Sequence, residues 1–338
     1  MPPVSSLLIA RHLLCLVPSA ICYTEWKHES VSLGLRGHLK KIIQYLNRPL
    51  SRRFFLKGAL GAFGVSVLGI GKGFANTLRS QIRLERVPIR LERLPESFRG
   101  FKIAQLSDLH SSPLVDQEHL EHAVQLAIAE KPDLVVLTGD YIGHTLRTAP
   151  GQIHKFDEIY LDQLVETLVK AKAPFGTYAV LGNHDFWSGP EVTERLCRAF
   201  ETRAGITLLR NQRAVLSKGD ESIQLLGVDD YWHSWNLGQA MRRVPMKSVK
   251  ILLSHNPDIN RHLRPAHRID LVLSGHTHGG QITFPILGAP FATHMNKRYL
   301  RGLVRDGDRQ TYITRGVGHL VVPIRFNCPP EVTLITLV

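Results

Sequence analysis

A chain of 338 residues with 43% hydrophobic and 21% charged residues holds enough apolar side chains for a sizeable buried core, which excludes an intrinsically disordered protein. The formal charge of +13 is concentrated at one end: residues 1–75 carry ten Lys/Arg against two Asp/Glu, which leaves the remainder near +5. So modest a charge on the body argues against a nucleic-acid-binding surface, and four cysteines with no CxxC in the body exclude a disulfide framework or a cysteine zinc site.

The leader comes first in the chain. Residues 51–57 read Ser-Arg-Arg-Phe-Phe-Leu-Lys, followed by an apolar, glycine-rich run from Gly58 to Ile70 and small residues near Ala75. A paired-arginine basic region, a short apolar core and a small-residue site resemble a twin-arginine (Tat) signal. That resemblance implies export of a folded protein, with the Tat translocon as partner; an uncleaved anchor is the alternative, although the apolar core is shorter than the ~20 residues a membrane-spanning helix needs. Fifty-one residues precede the arginine pair, so a start downstream of Met1 and a genuine extension both stay open. The expected division is a basic leader over 1–78, with the signal or anchor at 51–75, and a catalytic domain over 79–338.

In the body, Arg-Leu-Glu-Arg occurs at 83–86 and again at 90–93, with Pro88 between; the alternation predicts a strand pair or bent strand at a domain edge. Phe101–Leu106 is an apolar run ending in Ser107-Asp108-Leu109-His110. Residues 118–130 place Leu120, Val124, Ala127 and Ile128 on one helical face, and Pro132 ends that helix. Leu134–Leu137 reads as a buried strand ending in Thr138-Gly139-Asp140. A helix is predicted over 157–171, a strand over Thr177–Leu181 ending in Gly182-Asn183-His184-Asp185, and a helix over 190–204. Strands follow at 206–209, 213–217, 223–228 and 249–253, the last ending in Ser254-His255. Leu271–Leu273 ends in Ser274-Gly275-His276-Thr277-His278, and 311–315 and 331–337 close the chain. Strands alternating with helices, then strands in series, indicate an α/β body with a mixed sheet or two facing sheets.

Five apolar strands thus end in Asp, Asn or His. Side chains at C-terminal strand ends of α/β sheets converge on one crevice. Hard oxygen and imidazole donors with one carboxylate to spare for sharing are what a two-metal hydrolytic site needs. Asp108 and His110, two apart on a strand end, would share a face and reach one ion. For His276 and His278 two outcomes are open: both rings point one way if the strand continues, and each serves a different metal if it turns. Cys197 and Cys328 are the one pairing open to a disulfide in the body. Residues 229–236, Asp-Asp-Tyr-Trp-His-Ser-Trp-Asn, are read as ordinary packing, with a substrate groove or membrane interface as alternatives.

Asp108-x-His110, Gly139-Asp140, Gly182-Asn183-His184-Asp185, His255 after a strand and Gly275-His276-x-His278 resemble the ordered motif set of the calcineurin-like metallophosphoesterases. The tail 315–337, with Pro323-Ile324-Arg325 and Pro330-Glu331, resembles one bacterial branch, the YkuE/YaeI type. The resemblance implies an α/β fold of four layers, α-β-β-α, with two facing mixed sheets. It implies two divalent metal ions (Mn, Fe, Zn or Co), with Asp108, His110 and His278 on the first, Asn183, His255 and His276 on the second, and Asp140 bridging. His184 is expected to donate a hydrogen bond or proton to the phosphoryl group or leaving oxygen, and Asp185 to orient His184. Hydrolysis would proceed through a metal-bridging hydroxide with no covalent intermediate. His319, after a glycine-rich turn, is a candidate substrate contact.

The reaction class leaves several functions. One is an envelope-associated phosphodiesterase or pyrophosphatase. A second is a UDP-diacylglucosamine pyrophosphatase of lipid A synthesis at the cytoplasmic membrane face, a nucleotide-sugar-lipid substrate that true export would disfavour. A nuclease is disfavoured by the body's modest charge, and a non-catalytic wall-binding module by the intact His184-Asp185 pair.

Overall fold

The computed structural model describes residues 81–143, 157–290, 292, 297–320 and 323–338. The twin-arginine leader lies outside the described residues. Twelve strands among them form two mixed six-stranded sheets. The first contains β1 (Arg83–Ile89), β2 (Lys102–Leu106), β3 (Leu134–Leu137), β4 (Thr177–Ala179), β5 (Thr207–Leu208) and β12 (Glu331–Leu337), in the order β1-β12-β2-β3-β4-β5. The second contains β6 (Gln212–Lys218), β7 (Glu221–Gly227), β8 (Lys250–Leu253), β9 (Leu271–Ser274), β10 (Gly302–Asp306) and β11 (Arg309–Ile313), in the order β10-β11-β9-β8-β7-β6. Strands β2 to β5 run parallel, as do β7, β8, β9 and β11, so their C-terminal ends share one rim of each sheet.

Period-two alternation builds the layers. On β3, Leu134 and Val136 face inward and pack with Ile223, Leu225, Ile251, Leu253, Leu271 and Leu273 of the other sheet. Val135 and Leu137 face outward, against Leu120 and Val124 of α1 (Gln117–Ala129), Leu161 and Leu164 of α2 (Glu158–Leu168) and Leu196 of α4 (Pro190–Ala199). The outer face of the second sheet, Leu226, Leu252 and Val272, is covered by Leu237 of the four-residue α5 (Leu237–Ala240) and by Ile259 and Leu263 from short turns. The four expected layers are present, and the second helical layer is thin.

Three details depart from the sequence reading. The residues at 82–93 hold one strand, β1 over Arg83–Ile89, whose Pro88 is tolerated because β1 is a sheet edge with β12 as its one neighbour. The helix from Pro190 stops being α-helical at Ala199 and passes into a π-turn, Phe200–Ala204. Residues 302–306, not predicted as a strand, form β10 at the other sheet's edge. Cys197 and Cys328 are both free, so no disulfide forms between them.

Candidate metal centre

All five motif turns lie on the rim where the two sheets meet. β2 delivers Asp108 and His110, β3 delivers Asp140, and β4 leads into the short helix α3 (Asn183–Trp187). From the facing sheet, β8 delivers His255 and β9 delivers His276 and His278. Directly below, Gln105 of β2 donates Nε2 to the Ser274 carbonyl of β9 (3.0 Å) and to Thr138 Oγ1 (3.1 Å), tying one sheet to the other.

The side chains gather into two sets: Asp108, His110 and His278, and Asp140, His255 and His276, each with its donor atoms within 4.8 Å of one another and all buried. In the first, His110 Nε2 and His278 Nε2 are 3.0 Å apart, and His278 Nε2 lies 3.5 Å from Asp108 Oδ1. In the second, Asn183 Oδ1 stands 3.2 Å from His255 Nε2 and 3.0 Å from His276 Nδ1. Asp140 Oδ2 is 3.1 Å from His255 Nε2 and 3.7 Å from His110 Nε2, so it faces both sets. Donors held about 2.1 Å from one ion stand roughly 3.0–3.4 Å apart. Lone-pair atoms converging at these separations fit divalent cations. A carbonyl supports one of these rings from behind: His255 donates Nδ1–H to Thr138 O (2.7 Å), which turns Nε2 toward the centre.

The backbone is unusual here. Asp108, His110, Asp140, His276 and His278 all have positive φ, between 46° and 71°. Non-glycine residues rarely adopt that region, and such conformations cluster at functional sites where the surroundings over-determine them. It overturns the strand-face argument for Asp108 and His110: β2 ends at Leu106, and a left-handed turn aims both side chains. It also decides the open question at the other end. β9 ends at Ser274, and the turn sends His276 to one set and His278 to the other. Gly139 makes the tight fit possible: at φ 94°, a Cβ there would stand 2.6 Å from Gly182 N and 2.8 Å from His255 Nδ1.

Electrostatics follow from burial. Asp108 is pushed up to about 6, chiefly by loss of hydration. Burial opposes charge on Asp140 too, but His255 and His184 outweigh it and hold Asp140 well below the usual carboxylate range. The same pairing overrides burial at His255 and raises it to about 10. His278 is held well below the ordinary imidazole value by burial, His110 and Arg325.

His184 borders the centre, its ring 4.9 Å from that of His110, with its backbone N–H donating to Asp140 Oδ1 (2.9 Å). Asp185 has a further part that its place in the sequence did not suggest. Its carboxylate accepts from the backbone amides of Asp140 (3.0 Å), Tyr141 (2.8 Å), Ile142 (3.3 Å) and Gly182 (2.8 Å), so it staples two motif turns together. His319 is buried and stacks on His119 (5.9 Å between centroids), outside both sets; burial and the Arg325 charge lower it to about 3. Arg325 escaped the sequence reading as a site residue. Its fully buried guanidinium donates to the carbonyls of Arg315 (2.9 Å), Gly316 (3.1 Å) and Gly318, and so fixes the turn packed on Asp108. A lone arginine in a tail has no spacing signal that would have marked it. Trp187 and Trp232 also flank the centre, with rings 4.8 Å from His184 and 4.9 Å from His276.

Two oxygen-and-imidazole donor sets sharing a carboxylate at the mouth of a two-sheet α/β fold define a metal-dependent phosphoester hydrolase. The chain belongs to the calcineurin-like phosphoesterase family, whose pattern it matches over residues 101–280, and that family uses two divalent metal ions. It is similar to phosphodiesterase YaeI of Escherichia coli (36% identical, covering 86% of this chain and 100% of that protein). It is also similar to the uncharacterized metallophosphoesterase YkuE of Bacillus subtilis (34% identical, covering 86% and 98%). A third relative is an uncharacterized metallophosphoesterase of Aquifex aeolicus (30% identical, covering 76% and 92%).

Proposed function

We propose that the chain hydrolyses phosphodiester or pyrophosphate bonds at the cell envelope. In this reading Asp108, His110 and His278 hold one divalent ion, Asn183, His255 and His276 hold the second, and Asp140 is shared. The observation that carries it is the placement of Asp140 Oδ2 between the two donor sets, within 3.7 Å of an imidazole of each. Mn, Fe, Zn and Co all suit such donors. When bound, two such ions stabilise charge on the phosphoryl oxygens and supply a nucleophilic water at neutral pH.

The remaining tasks fall to the chain's own residues. His184, beside His110 and at the N-terminal end of α3, holds a proton for the departing oxygen. The Asp185 staple and the Arg325 clamp keep the turns that carry Asp140 and contact Asp108 in register, which limits reorganisation when charge develops. His319 has no part in this reading. Export through the Tat translocon is supported by Arg52-Arg53 and the apolar run after them; among the described residues no helix is long and apolar enough to cross a membrane. No nucleic-acid partner enters the proposal.

A second reading, the nucleotide-sugar-lipid pyrophosphatase, is favoured by one feature. Beyond His278 the chain turns at Phe284–Gly288 and leaves Ile286 and Leu287 97% and 77% exposed, an apolar tip suited to acyl chains or a membrane face.

The test is Asp140→Asn, assayed for bound metal and for hydrolysis of a bis-aryl phosphodiester and of UDP-diacylglucosamine. Loss of both metal and turnover is expected. Full hydrolysis by a metal-loaded variant would remove Asp140 from the shared position.

A further inference from the structure

Trp187 and Trp232 are an anomaly of burial. Indoles are large apolar groups that folding usually covers, yet these two are 51% and 42% exposed. They come from different parts of the chain, one from the end of α3 and the other from the turn after β7. They nevertheless meet with ring centroids 6.0 Å apart and planes within 1° of parallel. The pair stands at the centre itself, since Trp187 lies 4.8 Å from the His184 ring and Trp232 meets the His276 ring edge-on at 4.9 Å. Trp187 is three residues beyond His184 on α3, which places both on one helical face.

The exposed rings are also held firmly. Asp230, fully buried, accepts from Trp232 N (2.9 Å) and pairs with His233 Nδ1 (3.1 Å). Asp229 accepts from Arg210 (3.0 Å and 3.1 Å) and from Ser234 Oγ (2.9 Å). The His233 ring stacks on Phe186, the neighbour of Trp187 in α3, at 4.6 Å and 14°. Two indoles kept half in water, one on a turn pinned by these hydrogen bonds and the other on the helix packed against it, are preorganised for a ligand.

We propose that Trp187 and Trp232 form a stacking subsite beside the metal centre that takes a planar aromatic ring carried by the substrate, such as a nucleobase. The inference rests on the proposed phosphoester hydrolysis and names the group attached to the phosphorus. With centroids 6.0 Å apart and planes parallel, the indole planes stand at most 6.0 Å apart, too close to admit a ring between them, because two ring-to-ring contacts of about 3.5 Å need roughly 7 Å. The ligand ring therefore extends the stack from an exposed indole face. Its phosphate then lies toward His184 and His276, where the donor sets begin. An alkyl or glyceryl phosphoester would gain far less from such a wall.

The test uses the full-length, metal-loaded protein with three probes: AMP, ribose 5-phosphate and inorganic phosphate. AMP and ribose 5-phosphate differ in the base alone. AMP is expected to bind on the order of tenfold to a hundredfold more tightly than ribose 5-phosphate, the range of base–aromatic stacking, and to quench tryptophan fluorescence. Trp187→Ala and Trp232→Ala should each erode that preference, and Trp187→Phe should restore part of it. Equal affinity for AMP and ribose 5-phosphate in the unmutated protein overturns the subsite, as does a preference that survives in the double alanine variant. Inorganic phosphate reads the metal-facing half of the pocket separately. If the alanine variants lose phosphate as well, the indoles are structural and the subsite is overturned. If the unmutated protein binds AMP and ribose 5-phosphate alike yet holds phosphate in a metal-dependent way, the subsite fails while the hydrolytic reading stands.

Discussion

At the scale of single residues, the proton and the metal ion compete for the same nitrogen. In the metal-free chain His255 is raised to about 10, because the Asp140 carboxylate beside it outweighs the burial that opposes its charge. Its Nδ1–H is committed to Thr138 O, so the proton a cation must displace is the one on Nε2. A histidine raised in the folded state contributes stability that is complete below its unfolded value near 6.5 and is lost as pH climbs through about 10. Metal binding carries the opposite sign. Between pH 7 and about 9 each ion bound by the Asp140 set should release close to one proton, so affinity should rise about tenfold per pH unit. Calorimetry in buffers of different ionisation enthalpy measures that release directly, and a pH-independent affinity would show that His255 is neutral before metal arrives. His184 calls for a different experiment, because it belongs to neither donor set. Glutamine in its place keeps a polar group but cannot carry the proton. His184→Gln should retain both metals and slow turnover ~10²–10⁴-fold; metal analysis beside kcat separates the two, and an unchanged kcat would take His184 out of the chemistry.

At the scale of elements, the site is a set of turns after strands, and the strands matter as supports. Asp185 shows how the turns are locked: one carboxylate receives four backbone amides, three from 140–142 and one from Gly182. Asparagine in its place has one acceptor oxygen and presents its NH₂ group to amides that are themselves donors. Asp185→Asn should therefore cost about 3 kcal/mol, on the order of 10 °C in Tm, together with weakened metal binding. If Asp185 acted solely by orienting His184, the variant would lose turnover while keeping Tm and metal, and that pattern would sink the staple. This is also where the sequence reached its limit. Strand cores such as Leu134–Leu137 and Glu331–Leu337 were legible to the residue, because alternation and apolar runs are local signals. The ligand types were legible because Asp, Asn and His gather at strand ends for no ordinary packing reason. The left-handed φ of Asp108 and His110 was not, since that conformation is imposed by contacts such as Gly139 O with Asp108 N and Asp140 O with His110 N. Adjacency to His184 gave no hint that the Asp185 carboxylate would also gather four backbone amides, which come together through the fold. Arg325 was invisible as a clamp because its partners are mostly carbonyls, which every residue has, and the one ring it reaches, His278, is far away in sequence.

At the scale of the whole molecule, the centre joins the two sheets. The first sheet supplies Asp108, His110, Asp140 and Asn183, and the second supplies His255, His276 and His278, so each donor set takes ligands from both. Direct polar ties also cross that rim among the described residues. Gln105 reaches Ser274 O, His255 reaches Thr138 O, and the backbone N–H of His276 donates to Asp108 Oδ1 (2.9 Å). Two ions coordinated from both sides act as cross-links present in the native state alone. At free metal about a hundredfold above Kd each ion stabilises by about 2.7 kcal/mol, or roughly 5 kcal/mol for the pair. In a body of this size a chelator should then lower Tm by on the order of 10–20 °C, and re-addition of metal should restore it. The loosening should be local. Hydrogen exchange should quicken at 108–111, 139–142 and 275–280, where the turns lose their ions. The β1–β12 edge should stay protected, since it is held by a continuous parallel ladder from Arg83–Glu331 to Ile89–Leu337. A chelated protein with unchanged Tm and uniform exchange would mean that hydrophobic packing between the inner faces of the sheets positions the turns alone. The strained φ values would then be stored in the apo fold rather than stabilised by the ions.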